Sequence, residues 1–351
     1  MTISAELGMP MGLRGEALKA SYRFAHAGLL VGFGLTLRTL MQAFSPEVLR
    51  PPDPKAIRAL AERFRKLLDR DIENVERSLY PRELLFQFPY ATYARRLPQS
   101  LMDVPRIAKR RRRKMYADLP PNVPLDRYPR YYRRNFHWQT DGWLSQHSAK
   151  LYDLEVELLF GGTADIMRRM AIPPLVNALA SEKDPEILDV GCGTGRFMLQ
   201  LSKALPRARL TGLDLSSFYL KEAARNLESV TDVSWVCGNA ESMAWKNESF
   251  DAASSVFLFH ELPRRARRNV AQEVLRCLRP GGRFVVCDSA QLADSEAIRP
   301  ALEGFPQAYH EPFYRDYIQD PLEALLEEVG FRVESSEAFA VSKVVSARKL
   351  A

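Results

Sequence analysis

From residue 186 onward, short apolar runs alternate with segments of helical pattern. Ile187–Val190, Arg209–Asp214, Val233–Cys237, Phe250–Phe259 and Phe284–Asp288 read as strands. Between them Arg196–Ala204, Ser216–Leu227 and residues 263–279 read as helices, the last with Val270, Val274, Cys277 and Leu278 inward and a cluster of arginines outward. Leu322–Val329 gives a last helix, and Phe331–Glu334 with Phe339–Val345 a final antiparallel strand pair. Strand and helix in regular alternation predict an α/β fold built on a doubly wound sheet, here of seven strands.

The first half of the chain is patterned differently. Residues 14–44 look helical, with apolar Leu29, Leu30, Phe33, Leu37, Leu40 and Met41. This helix packs on the protein's own core, lies on a membrane surface or lines a lipophilic pocket. Asp53-Pro54 starts a second helix, Asp as N-cap and Pro at the first helical position. Its stripe of Ile57, Leu60, Ala61, Phe64, Leu67, Leu68, Ile72, Val75 and Leu79 reads as core, and it ends before Pro81. Prolines from Pro81 through Pro98 and Pro105 to Pro129 predict short helices with turns over residues 80–134. Tyr128–Trp143 then packs six aromatics and a His into a polar stretch. Ser148–Asp153 leads a helix with Val156, Leu159 and Phe160 that Gly161-Gly162 ends, and 164–180 leads to the first strand, bent at Pro173-Pro174. The division expected is a mainly α-helical extension at 1–127, a covering segment at 128–162, and an α/β domain at 163–351 with a lid insert at 289–320.

Length and charge refine this picture. The 351 residues hold two domains, or one with a large extension. The net charge of +7 is unevenly placed, with 13 Lys or Arg against three Asp in residues 95–134. Lys109–Lys114 there would suit phosphates or an anionic membrane, or form a solvated helix face. Met1–Pro10 lacks a signal-peptide pattern, and Ala27–Leu37 is too short to span a bilayer. A cytoplasmic protein, peripheral to a membrane at most, is expected. Cys192, Cys237, Cys277 and Cys287 form no C-x-x-C pair and have no His at ligand spacing, which predicts buried free thiols in a reducing compartment and no metal site.

The chemistry gathers where the first strand ends. Asp189-Val-Gly191-Cys192-Gly193-Thr194-Gly195-Arg196 is a strand, a Gly-rich turn and a helix start. Its glycines follow G-x-G-x-G and not the dinucleotide spacing G-x-G-x-x-G, and glycine lets the main chain approach a ligand closely. Asp214 ends the second strand about 20 residues on, where an acid can accept hydrogen bonds from both ribose hydroxyls. Gly238-Asn239-Ala240-Glu241, Phe250-Asp251-Ala252 and Leu278-Arg279-Pro280-Gly281-Gly282-Arg283 follow in order. Over residues 160–350 this set resembles the class I S-adenosylmethionine-dependent methyltransferases, whose fold is Rossmann-like. The resemblance implies S-adenosylmethionine as cofactor, held by Asp189, Gly191, Cys192, Gly193, Thr194, Gly195, Asp214, Leu215, Asn239, Ala240 and Phe257. Asn239 stands where the family usually has an acid near the adenine amino group, and its carbonyl can accept that bond.

In the same family the segment before the α/β core often folds over the cofactor, and the region after the fifth strand sits above the methyl group. That makes Tyr131, His137, Gln139, Asp141 and Tyr152 acceptor-site candidates, with Tyr309, Tyr314 and Tyr317 of the long insert Ser289–Asp320 walling an apolar chamber. His260 and Glu261, at the C-terminal edge of the sheet, and His310 and Glu311, in the insert, are the candidates for proton transfer. The competing reading has Glu261 capping the next helix, His260 bonding the backbone and the insert serving as an inert lid. The function expected is methyl transfer to a small, lipophilic or aromatic acceptor. The alternatives are RNA or protein methylation through residues 95–134, and a non-catalytic scaffold. Nucleic acid is the less expected partner, because no nucleic-acid module and no N/D-P-P-Y motif is present, whereas an anionic membrane surface or acidic partner would suit the basic stretch.

Overall fold

The computed structural model describes residues 11–44, 54–294 and 296–350. Met1–Pro10 and the Asp53 cap therefore lie outside the described residues, as do the side chains of Leu37, Leu40 and Met41. Seven strands form one sheet: β1 (Glu186–Val190), β2 (Arg209–Asp214), β3 (Val233–Cys237), β4 (Phe250–Val256), β5 (Leu278–Ser289), β6 (Phe331–Phe339) and β7 (Ser342–Lys349). Their order is β3-β2-β1-β4-β5-β7-β6, parallel except for β7, which runs antiparallel to both β5 and β6. The chain turns from one half of the sheet to the other between β1 and β4, so the crevice at their C-terminal ends is where such a sheet takes a ligand.

Boundaries differ from expectation where the backbone has local reasons. The fourth strand stops at Val256 and not Phe259, because Phe257 turns to a left-handed φ of 56°. The fifth begins at Leu278, pairing with Phe250 before a register shift at the Gly281-Gly282 corner. Strands β6 and β7 are long, nine and eight residues, and meet at Ala340.

Helices α1 (Met11–Phe44), α2 (Pro54–Glu76), α3 (Tyr90–Arg113), α4 (Gln146–Leu159), α5 (Ala164–Arg169) and α6 (Ile172–Ala178) precede the sheet. Helices α7 (Arg196–Ala204), α8 (Ser217–Asn226) and α9 (Arg264–Cys277) cross between strands, and α10 (Arg299–Ala308), α11 (Tyr314–Tyr317) and α12 (Leu322–Val329) follow β5. The short helices expected over 80–134 are corrected in part: α3 runs unbroken for 24 residues through Pro98 and Pro105. Both prolines are exposed, as are Ala94 and Leu101 four residues before them, so each carbonyl left without its N–H partner is solvated by water. Arg110, inside the basic run, is buried against Asp118 and Thr140 and is no part of a solvated face. Arg267 likewise departs from the outward arginines of α9. It is fully buried, bonded to Asp316, Asp320 and the Leu262 carbonyl. Of the four free thiols Cys237 is exposed and three are buried.

Helices α1 and α2 meet α5 at one buried carboxylate. Asp71 of α2, fully buried, accepts hydrogen bonds from the hydroxyls of Tyr22 in α1 and Tyr80, and from both Nε (2.9 Å) and Nη2 (2.5 Å) of Arg169 in α5. Helix α1 also lies close over the turn after α4. Gly161 and Gly162 have φ of 60° and 79°, and a Cβ on Gly161 would stand 2.8 Å from Leu30. Removing one partner of a buried ion pair strands the other charge, so Arg169→Met and Asp71→Asn should each cost about 3–5 kcal/mol in urea unfolding. A loss below ~1 kcal/mol in both would mean that these helices are held by apolar contact alone.

Candidate active site

Three positive-φ glycines shape the turn after β1: Gly191 (70°), Gly193 (56°) and Gly195 (72°). Gly195 is also a close approach, since a Cβ there would lie 2.7 Å from Leu227 and 3.2 Å from Ala223 of α8. The turn is tied to β2 through Asp214, whose Oδ2 accepts the Gly193 N–H at 2.9 Å and whose Oδ1 accepts the Ser216 N–H at 2.7 Å. Burial pushes the Asp214 carboxyl up to about 6. Asp189 is more enclosed, accepts a hydrogen bond from the Ser254 hydroxyl at 2.7 Å, and is pushed up by burial to about 7. Thr194 donates to Asp153 of α4, and Cys192 is buried beneath the turn.

These residues border a cavity of about 810 Å³ at the C-terminal ends of β1, β2 and β4. Gly191, Gly193, Asp214, Leu215, Asn239, Ala240 and Phe257 line it. Asp189, Cys192 and Thr194 line a smaller recess beside it, together with Arg168 and Arg196. Asn239 turns its side-chain oxygen to the Glu241 N–H at 2.9 Å, so that carbonyl already braces its own turn. Tyr132, Trp143 and Tyr219 also wall the large cavity. They were not singled out as cofactor residues, although Tyr132 and Trp143 stand in the aromatic stretch that the sequence did mark.

A second, mostly apolar cavity of about 1220 Å³ lies beside the first, and Tyr152 and Phe257 line both. Leu30 and Gly34 of α1 and Leu60 and Phe64 of α2 form its outer wall, so α1 lines an apolar pocket and Leu60 and Phe64 of the α2 stripe reach it as well as the core. The insert supplies Ala301, Leu302, Phe305 and Tyr314. Tyr314 and Tyr152 both line this cavity. Tyr131 instead lines the first cavity, its hydroxyl on Glu241 at 2.6 Å. Tyr317 is core, its hydroxyl donating to the Ser289 carbonyl, and Tyr309 stacks on Phe305 behind the wall. Gln139 bonds Glu155 and Tyr219, and Asp141 sits in a turn with φ 64°.

Where the two cavities meet, four titratable side chains converge from three distant segments. His137 Nε2 is 3.0 Å from Glu261 Oε1, and its Nδ1 is 2.9 Å from Glu311 Oε1. His260 Nε2 is 3.4 Å from the same Glu261 oxygen, and its Nδ1 is 2.6 Å from Asp288 Oδ1. His137 and His260 face the apolar cavity, while Glu261 faces the other. Burial alone would lower the His137 imidazole, but Glu311 and Glu261 outweigh it and push it up to about 10. His260 is raised in the same way, against burial, by Asp288 and Glu261. Burial and the Glu261 charge push Glu311 up to about 7. Glu261 does not cap α9, whose N-cap is Pro263, and His260 bonds a carboxylate and not the backbone. His310 is the exception among the four proton-transfer candidates. Its ring stacks on Tyr116 at 4.4 Å, and its carbonyl accepts the His137 N–H. Asp288 was overlooked: it was visible as an acid at the end of a strand and was read only as the strand's boundary.

Residues 187–282 match a family model described as a methyltransferase domain. The chain is 31% identical to O-methyltransferase resE of Aspergillus sclerotiorum over 44% of its own length and 58% of that protein's. It is 31% identical to O-methyltransferase rstn1 of Aspergillus nomiae over 44% of itself and 68% of the relative. To a demethylmenaquinone methyltransferase of Oceanobacillus iheyensis it is 30% identical, over 50% of itself and 68% of the relative. The chain thus spans a little over half of the first relative's length and about two thirds of the other two. With the glycine turn, the Asp214 carboxylate and the strand order already in place, this likeness assigns the chain to the class I S-adenosylmethionine-dependent methyltransferases.

Proposed function

We propose that the chain transfers a methyl group to a small, largely apolar acceptor seated in the 1220 Å³ cavity. The observation that carries this reading is the shared wall: Tyr152 and Phe257 border both the cofactor-type cavity and the apolar one. Relatives whose names specify O-methylation or demethylmenaquinone support an acceptor that is lipophilic and oxygen-bearing. S-adenosylmethionine, when bound, supplies a methyl already activated by a sulfonium.

The residues present fit that cofactor. Asp214 is half-buried on the cavity wall, and a carboxylate has acceptor sites beyond its two N–H donors, so it would take the ribose hydroxyls. Tyr132, Trp143 and Tyr219 offer aromatic walls for an adenine, and the recess with Gly191–Thr194 and Arg168 suits the amino-acid end. On the acceptor side, helices α1, α2, α4 and α10 exclude water. His137 and His260 face the apolar cavity and are the groups able to orient an acceptor hydroxyl. Positioning across one thin wall is where most of the rate would come from. Residues 289–320 would act as the lid over this chamber.

Calorimetric titration with S-adenosylhomocysteine should show saturable binding that Asp214→Ala abolishes, and failure of well-folded wild type to bind would sink the reading. Ala301→Trp adds bulk at an exposed position of the apolar cavity. It should raise the acceptor's KM at least tenfold, on the order of one lost well-packed contact, and leave S-adenosylhomocysteine affinity unchanged.

The same carboxyls give a pH signature of known sign. Asp189 and Asp214 are raised above their unfolded values to about 7 and about 6. Between roughly pH 4 and 7 the folded chain therefore holds protons that the unfolded chain has lost, so this contribution to stability is full at low pH and declines as pH rises through that window. Cofactor affinity runs the other way, because the ribose hydroxyls need the Asp214 carboxylate. It should fall by about tenfold per unit below pH 6. An affinity independent of pH from 5 to 8 would show that Asp214 does not carry the ribose contact.

A further inference from the structure

We propose that His137, His260, Glu261 and Glu311 bind a divalent first-row metal ion at the junction of the two cavities. One donor atom from each of the four lies within 4.8 Å of every other. Donors on adjacent sites of an ion with bonds of about 2.1 Å stand about 3.0–3.4 Å apart. An imidazole gives an ion one nitrogen: His137 Nδ1 to Glu311 (2.9 Å) and His260 Nε2 to Glu261 (3.4 Å) are close to that spacing, while His137 Nε2 stays hydrogen-bonded to Glu261 at 3.0 Å.

Two further observations point to a ligand. The first is a set of buried oxygens that accept no hydrogen bond. Both carboxylate oxygens of Glu311 and Oε2 of Glu261 are in this state, although the two side chains are only 0% and 5% exposed. Glu311 Oε1 approaches His137 Nδ1 at 2.9 Å without the alignment of an N–H bond. Leaving such buried oxygens without a hydrogen bond costs free energy that a cation recovers. The second is the outer support of His260. Asp288 accepts from its Nδ1 at 2.6 Å and is itself fixed by the N–H groups of Phe259 (2.7 Å) and Ser289 (2.7 Å). A proton held on Nδ1 leaves the Nε2 lone pair facing Glu261, which is how a carboxylate orients a metal-binding imidazole.

Two imidazoles and two carboxylates favour Zn²⁺, Mn²⁺, Fe²⁺ or Co²⁺ over Mg²⁺ or Ca²⁺, and the ion's charge balances Glu261 and Glu311. Because His137 and His260 face the apolar cavity, a remaining coordination position is open to an acceptor. This part rests on reading that cavity as the acceptor site. It selects acceptors with an ionisable hydroxyl beside a second oxygen, such as a catechol or a hydroxyquinone. The ion would lower the hydroxyl's pKa, so that its proton passes to solvent and the oxygen stays behind as an anion.

Chelator-treated full-length protein should take up one equivalent of Co²⁺ with a visible absorption band, displaced by Zn²⁺. Glu311→Gln and His260→Ala should each abolish the band while S-adenosylhomocysteine binding, followed calorimetrically, reports an intact fold. Asp288→Asn, a positioning residue, should weaken Co²⁺ by about 10–100-fold. The site is refuted if protein that binds S-adenosylhomocysteine takes up no Co²⁺, or takes it up equally in wild type and in the Glu311→Gln, His260→Ala double variant. Addition of catechol should shift the Co²⁺ band, and a loaded protein whose band does not move refutes the acceptor half of the proposal. Failure to bind S-adenosylhomocysteine in a Co²⁺-loaded wild type would overturn the transferase reading and leave the metal site standing.

Discussion

A single buried carboxylate ties together the helices that wall the apolar cavity. Asp71 would be prohibitively costly alone in the interior, and it is tolerated only because Arg169, Tyr22 and Tyr80 direct donors at both of its oxygens. Those donors come from α1, α5 and the turn after α2, so satisfying the charge requires that all of these segments be docked at once. The apolar contacts of α2 with the core could be made in several registers, whereas the ion pair can be made in one. Leu30, Gly34, Leu60 and Phe64 face the cavity as a consequence of that register.

The C-terminal edge of the sheet holds three acids in three environments, and the difference follows from what each one accepts. Asp214 has two backbone N–H donors and borders a cavity, which suits it to neutral hydroxyls. Asp189 has one hydroxyl donor, so burial wins and its proton is held to about neutral pH. Asp288 takes two N–H donors and then His260, which makes it the base plate of the cluster at the junction. Parallel strands bring these side chains to one rim, and the neighbours added afterwards give each its own character.

The α/β half was legible because its signals are local. The glycine turn, the acid ending β2 and the apolar runs each lie within a few residues of one another, and the seven-stranded order follows from them. The N-terminal half was legible only as helices. Pro98 and Pro105 read as breaks, since the sequence does not say that both face water along one helix. Arg267 read as a surface charge because its partners, Asp316 and Asp320, are about fifty residues away. The site was half legible for the same reason. His260, Glu261 and Glu311 stood out as polar groups at a rim or in an aromatic insert, but the approach of His137 to Glu311 spans 174 residues and leaves no local mark.

The partition between the cavities is held in a conformation that its own residues disfavour. Phe257 and His137 both adopt left-handed φ, 56° and 52°, without being glycine, a cost on the order of 1–3 kcal/mol each. Each is over-determined by its surroundings. The Phe257 N–H bonds the Cys287 carbonyl at 2.8 Å, and its ring stacks on Phe160 under the Arg168 guanidinium. His137 is held through its N–H by the His310 carbonyl and flanked on both ring nitrogens by carboxylates. Strain of this kind persists only where the fold supplies the compensation beforehand. The wall between the two cavities is therefore set before either is filled, and the distance across it is fixed by the core and not by the ligand.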